Sequence, residues 1–327
     1  MNFYLAPMEG ITTHIYRNAL QRHYGGIDCY YTPFLSNKSF NSKELRDILP
    51  EHNKGFKVVP QILTNQPETF LAIAEKLQDY GYREVNLNLG CPSGTVTAKK
   101  RGAGFLSVPD QLDRFLDRIF AGCPLDISIK TRIGIEAEYE WADLLAIYKK
   151  YPIKELTVHP RYQKEFYHGT PHVEAFQLAI DTLKGSSIAL CYNGDITSAE
   201  SFHALLGKAP STEAVMVGRG ALANPEIFQL LRREEPAQSP KEASSLSPRE
   251  KLSSFQAFHD EILMGYMGYM PGDQPTLFKM KELWGYMGQY VHAADSQLKQ
   301  IRKAKRISEY KIAVQGILAQ APGRATP

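Results

Sequence analysis

The residue of this chain best placed to move a proton is Cys91, which stands between Gly90 and Pro92 in the run Asn88-Leu89-Gly90-Cys91-Pro92. The run closes an apolar stretch, so the thiol stands on a loop just past a strand end, where it can face a substrate. A thiol with an unperturbed pKa of about 8.5 is mostly protonated at neutral pH, the state a general acid requires. The other cysteines read differently. Cys29 and Cys191 lie within apolar runs, where free cysteine behaves as a small buried hydrophobe, and Cys123 has no polar setting. With no CxxC pair and no Cys/His cluster at zinc spacing, neither disulfides nor a metal site are expected.

Comparable polar groups close other apolar runs. Pro7-Met8-Glu9 follows the first, Gln61 lies within the third, Lys130-Thr131-Arg132 ends the fifth and His159-Pro160-Arg161 ends the sixth. Asn193-Gly194-Asp195 follows the seventh, and Gly218-Arg219-Gly220 the eighth. Glycine turns leading into a helix expose backbone N–H groups beside a positive helix end, which together make a phosphate cradle; a plain strand-to-helix turn has the same appearance. Arg219 between two glycines favours the phosphate. Lys130 either carries its ammonium out along an apolar strand or supplies a fixed cation where anionic charge develops. His159 alone reads as a hydrogen-bonded structural group, yet it has several polar companions at the same level.

These residues need a scaffold that brings strand ends together. Short β-branched or aromatic runs at 3–6, 28–31, 57–62, 84–88, 126–130, 155–159, 188–192 and 213–217 alternate with stretches whose apolar residues recur at i, i+3, i+4 and i+7. Eight such alternations predict a closed TIM (β/α)8 barrel, with its reactive groups at the C-terminal ends of the strands. Residues 236–248 are polar and rich in Ser, Pro and Glu, and read as a linker. The expected organisation is a catalytic barrel over 1–235, that linker, and a small all-helical domain over 249–327.

Composition suits a soluble globular protein, with 43% hydrophobic and 22% charged residues. No basic leader precedes an apolar run and no apolar stretch is long enough to span a bilayer, so no membrane association and a cytoplasmic location are expected. Net charge is only +3, but residues 241–327 carry 12 Lys and Arg against 8 Asp and Glu, leaving the remainder close to neutral. Lys299, Arg302, Lys303, Lys305 and Arg306 form the densest basic run. Such a run is either a solvated helix face or a phosphate-contacting surface. The Met- and aromatic-rich stretches 264–270 and 279–290 are expected to pack a helical core.

At this point the sequence resembles the tRNA dihydrouridine synthase family. APMEG, PQI, NLNLGCP, the run Lys99-Lys100-Arg101-Gly102-Ala103-Gly104, KTR, VHPR, NGDI and VGRGAL occur in family order and spacing, covering residues 1 to about 235 well and the tail more loosely. NLNLGCP followed by GAG is the specific part; NGDI and GRG are shared with other flavin barrels.

The resemblance implies an oxidoreductase acting on a CH–CH group, with FMN as cofactor and NADPH as hydride source, that reduces the C5=C6 bond of uridines in tRNA. It implies that Pro7, Met8, Glu9, Gln61, Lys130, His159, Asn193, Gly194, Asp195, Gly218 and Arg219 hold FMN. Cys91 is implied as the acid protonating C5, Asn88 and Arg161 as substrate contacts, and the tail as an RNA-binding domain in which Lys299, Arg302 and Lys303 meet tRNA. Asn86, Pro160 and Gln163 depart from the commonest family pattern. A flavin barrel reducing a free pyrimidine or an enone would share the flavin loops, and a non-catalytic RNA-binding protein would share the scaffold. NLNLGCP and the basic helical tail favour the tRNA enzyme.

Overall fold

The structure is a computed structural model that describes residues 1–234 and 246–321. Residues 236–245 of the expected linker, and the last six residues of the tail, therefore lie outside the described residues. By internal contacts the chain divides into two compact units.

The first unit comprises Met1–Glu9, Ile27–Ile196 and Glu200–Gly218. Its strands are β1 (Asn2–Leu5), β2 (Cys29–Tyr31), β3 (Val58–Val59), β4 (Gln61–Ile62), β5 (Glu84–Leu89), β6 (Asp126–Arg132), β7 (Glu155–His159), β8 (Ala189–Tyr192) and β9 (Ala214–Val217). They form one parallel sheet in the order β3-β2-β1-β9-β8-β7-β6-β5-β4. The two strands at the ends of that order flank Pro60, which has no N–H to donate to a ladder. They are two halves of one expected strand: β3 pairs with β2, while Gln61 of β4 pairs with Asn86 of β5. The sheet thus closes on itself as the (β/α)8 barrel that the alternation predicts, with helices such as Pro67–Asp79 and Pro109–Gly122 between the strands.

Strand parity decides which side chains enter the barrel. On β6, Thr131 faces outward, its hydroxyl 2.9 Å from that of Tyr148 on the helix Tyr139–Tyr148. Ser128, Lys130 and Arg132 then occupy the inner face. By the same alternation β5 turns Asn86 and Asn88 inward and β7 turns Thr157 and His159 inward. The apolar filling is Tyr4, Ala6, Cys29, Tyr31, Val59, Cys191, Ala214 and Met216, so both strand cysteines are indeed core residues. At the N-terminal rim Glu155 accepts hydrogen bonds from Tyr4 (2.8 Å) and Tyr31 (3.2 Å), and Glu84 pairs with Lys57 and Lys154.

The second unit comprises Gly10–Gly26, Thr197–Ala199 and Arg219–Pro327, and its described part is mainly helical. The helix Pro248–Met267 opens with a capping box between Ser247 and Glu250 and with Pro248 at its first position. It is followed by helices Asp273–Tyr290, Asp295–Lys303 and Ile307–Gln320. Tyr266, Met280, Trp284 and Met287 are buried, which is the packing role expected of the Met- and aromatic-rich stretches; Met264 and Met267 instead face outward. No described helix is long and apolar enough to cross a membrane.

Candidate active site

The loop carrying Cys91 is held from both sides of the peptide chain. The Asn88 side-chain oxygen accepts the backbone N–H groups of Gly90 (3.0 Å) and Cys91 (2.9 Å), a turn that asparagine makes well. The Cys91 carbonyl accepts the N–H of Ala103 at 3.0 Å. Gly102 lies in the left-handed region with φ 54°, and a β-carbon there would sit 2.8 Å from the Cys91 carbonyl oxygen and 3.0 Å from the Cys91 β-carbon. The GAG run is thus the seat of the NLNLGCP loop, which explains physically why the two motifs occur together. The thiol is half-buried. Burial is the main influence and raises its pKa; the Ser93 backbone opposes it, Glu9 adds to the rise, and Arg132 and Lys130 lower it by less. It is therefore a protonated thiol at neutral pH.

Lys130 sits beside Asn88 in the β5–β6 register. Burial, and after it the neighbouring charge of Arg132, brings its ammonium down to about 8. Among the described residues it makes no hydrogen bond or ion pair, so the inner face of the barrel holds a cation without an anion. Such a group is costly unless a ligand supplies the negative charge.

Two buried arginines secure the loops on the far side. Arg132 donates from Nε to the Gly90 carbonyl (3.0 Å) and from its terminal nitrogens to the carbonyls of Tyr162 (2.8 Å) and Phe166 (2.6 Å). It ties the Cys91 loop to the segment after β7. Arg161 uses all five of its N–H groups: on the carbonyls of His168 and Gly169, on both oxygens of Asp195, and on Nε2 of His159. A guanidinium cannot accept, so that last contact places the His159 proton on Nδ1. Arg161, Asp195 and His159 thus form one cluster, in which Arg161 organises loops rather than presenting a free fork at the surface. Tyr167 stacks on His159 at 6.0 Å and lies 5.5 Å from the Arg132 guanidinium, while remaining exposed.

Asn193 donates from its side chain to the Met216 carbonyl (2.7 Å) and from its backbone to the Val158 carbonyl (2.9 Å), stitching together the ends of β7, β8 and β9. A β-carbon at Gly194 would lie 2.0 Å from the Tyr192 hydroxyl, so a side chain there would have to displace the buried Tyr192 ring. Gly218 is different. A β-carbon would meet only Ala6 at 3.4 Å and the Met8 sulfur at 3.7 Å, ordinary contacts that the fold tolerates. The backbone N–H groups of Gly194 and Gly218 have no acceptor among the described residues. Pro7 and Met8 are half-buried and Glu9 is exposed, where the chain leaves β1.

Gln61 is buried and spans Asn86 (2.8 Å) and Asn88 (2.7 Å) through its amide. Arg219 opens the helix Arg219–Ala223 of the second unit. In that unit Lys299, Arg302 and Lys303 lie on one face of the helix Asp295–Lys303, all exposed and without an ion pair among the described residues.

A sequence profile described as dihydrouridine synthase (Dus) matches residues 4–312. The chain belongs to the dihydrouridine synthase family. It is 31% identical over 263 residues to a probable tRNA-dihydrouridine synthase of Staphylococcus epidermidis, covering 78% of each chain. A protein of the same description from Staphylococcus aureus is 31% identical over 268 residues, covering 80% of this chain and 79% of the other. The probable tRNA-dihydrouridine synthase 2 of Bacillus subtilis is 27% identical over 271 residues, covering 79% and 78%. At the level of fold alone, the chain is similar to a putative dihydrodipicolinate synthase family protein from Coccidioides immitis, with TM-score 0.51, 10% identity and 99% and 97% coverage.

Sequence reasoning named Arg132 at a strand end and Asn86 within the NLNLGCP run without giving either a role, and missed Tyr167. Arg132 carried a signal, because an arginine two residues beyond Lys130 shares its strand face. Tyr167 carried only that of an aromatic residue in a polar loop.

Proposed function

We propose that this family member is a tRNA-dihydrouridine synthase that reduces uridine to 5,6-dihydrouridine with FMN as cofactor and NADPH as hydride source, working in the cytoplasm. The observation that carries this reading is the juxtaposition of a backbone-clamped, protonated Cys91 with the unpaired cation Lys130.

The residues present fit FMN at both ends, the phosphate and the pyrimidine side of the ring that becomes negative on reduction. Lys130 supplies a cation for the electron-rich ring, and the unpartnered N–H groups of Gly194 and Gly218 supply donors for the phosphate, with Arg219 next in sequence. Pro7, Met8, Glu9, Gln61, His159, Asn193 and Asp195 complete the cofactor set. When bound, FMN supplies hydride transfer from NADPH to C6 of the uracil ring.

The protein's own part is the proton. Hydride addition at C6 leaves negative charge conjugated between C5 and the C4 carbonyl, and the Cys91 S–H donates its proton to C5. The S–H bond breaks, a C–H bond forms, and the thiolate is reprotonated from solvent. Asn88 fixes the loop from which Cys91 acts, and Arg161 holds the neighbouring loops that border the substrate. A uridine stacked in folded RNA cannot reach a barrel mouth, so the base is extruded before reaction. Lys299, Arg302 and Lys303 contact tRNA phosphates, and the chain is organised as catalytic barrel 1–235, linker 236–248 and RNA-binding domain 249–327.

The test is mass-spectrometric mapping of dihydrouridine in tRNA from a deletion strain, with restoration by the purified protein and NADPH. Loss of dihydrouridine at specific positions and its return support the reading. Unchanged dihydrouridine, or reduction of free uracil or orotate without tRNA, contradicts it.

A further inference from the structure

Four buried side chains form an unbroken hydrogen-bond row across the barrel beneath Cys91. Gln61, Asn86 and Ser128 are direct register partners on β4, β5 and β6, and Asn88 is the next inward residue along β5. The row runs from the Asn88 amide nitrogen to the Gln61 oxygen (2.7 Å), from the Gln61 nitrogen to the Asn86 oxygen (2.8 Å), and from the Asn86 nitrogen to the Ser128 hydroxyl (3.1 Å). The Ser128 hydroxyl ends it on the Val85 carbonyl at 3.3 Å.

The polarity of this row follows from the backbone. The N–H groups of Gly90 and Cys91 can only donate, so the Asn88 atom facing them is its oxygen and the atom facing Gln61 is its nitrogen. That in turn orients Gln61, and Gln61 orients Asn86. Each amide has one orientation consistent with its neighbours, and none of the four residues leaves a buried polar atom without a partner among the described residues. Turning Asn88 or Gln61 over would set oxygen against oxygen and nitrogen against nitrogen, and turning Asn86 over would set its nitrogen against that of Gln61, in a buried setting, which is the expensive case for a polar network.

We propose that Asn86 is a positioning residue: by accepting from Gln61 it locks the Asn88 amide with its oxygen toward Cys91, and so holds the proton donor in place. The proposal rests on the reading of Cys91 as the acid, and touches substrate only through it. Ser128 is the adaptable end of the row, because a hydroxyl can rotate to donate or accept.

The test compares Asn86→Leu with Asn86→Asp in the flavin-loaded protein. Leucine removes the acceptor for Gln61; aspartate keeps it, with Ser128 turning to donate. The first readout is amide hydrogen exchange in the peptide covering 88–93, against a control peptide covering 189–192. Asn86→Leu is expected to speed exchange at 88–93 by roughly tenfold, the order set by loss of one net hydrogen bond, with the control unchanged. Asn86→Asp is expected to restore most of the protection. The second readout is single-turnover oxidation of pre-reduced flavin by tRNA, expected to slow by roughly 10- to 100-fold in Asn86→Leu, as for a misplaced reacting group.

Wild-type exchange at 88–93 in Asn86→Leu overturns the proposal, as does equal acceleration in the control peptide, which marks a general loss of stability. Altered exchange with an unaltered oxidation rate also overturns the positioning role. Cys91→Ala, run in parallel, separates the two ideas: if it too reacts at the wild-type rate, the acid assignment has failed, whereas the exchange result still judges the row itself.

Discussion

The carbonyl oxygen of Cys91 occupies the space beside Gly102 so closely that a β-carbon there would lie only 2.8 Å away. Gly102→Ala therefore meets both a steric conflict and a left-handed backbone that alanine adopts at a cost of about 1–2 kcal/mol. The expected outcome is a fall in unfolding free energy of at least that size in urea titration, and faster alkylation of Cys91, with flavin content retained. Wild-type stability and alkylation would show that the GAG run does not seat the loop.

Lys130 yields a prediction about pH. Its folded pKa, about 8, lies below the ordinary lysine value, so between those two pH values the unfolded chain binds more protons than the folded one. The contribution of Lys130 to the stability of flavin-free protein therefore rises with pH across that window. Affinity for FMN moves the other way, because the ammonium that faces the electron-rich edge of the ring is lost as pH increases through about 8. Lys130→Met should abolish both dependences, as measured by urea titration and FMN titration at stepped pH. Parallel pH curves for wild type and variant would remove Lys130 from the cofactor site.

The barrel was legible because strand and helix periods differ and alternate eight times. Pro60 interrupts a ladder without interrupting the strand, so its effect is on pairing rather than on chain path. The site was legible only in part. Cys91 and Lys130 announce themselves by residue type at a strand end. The commitment of Gln61 to Asn86 and Asn88 depends on cross-strand register, which no local pattern encodes. Likewise the sequence places Arg161 at a strand end beside His159, and its commitment to the protein itself arises from a loop that folds back to offer the carbonyls of His168 and Gly169.

The burial of Arg161 has an energetic consequence. Asp195→Ala leaves the buried Arg161 guanidinium without its carboxylate; because that carboxylate is partly exposed, the expected loss is that of a charged hydrogen bond, about 1.5–3 kcal/mol, rather than that of a fully buried pair. Asp195→Asn, which keeps an acceptor, should cost clearly less. Urea titration of both variants checks this, and equal small losses would mean that the pair is not structurally important.

Replacing Lys299, Arg302 and Lys303 together by Ala should weaken tRNA binding and reduce its salt dependence. If all three displace counterions, the slope of log affinity against log salt should flatten by about 2–3 units. Filter binding across a salt series measures it. An unchanged slope would make the run a solvated helix face.

The central claim is that the Cys91 thiol delivers the C5 proton, and single-turnover oxidation of pre-reduced flavin by tRNA isolates that step from NADPH binding and flavin reduction. Cys91→Ala should retain flavin and still oxidise NADPH with artificial acceptors, yet react with tRNA slower by on the order of 10² to 10⁴-fold, the usual contribution of a positioned general acid. Serine should rescue poorly, since a hydroxyl is a far weaker acid than a thiol. In wild type the rate should fall as pH rises through the thiol pKa, which burial raises above the ordinary value. Reaction of Cys91→Ala with tRNA at the wild-type rate would contradict the account and make Cys91 a packing residue.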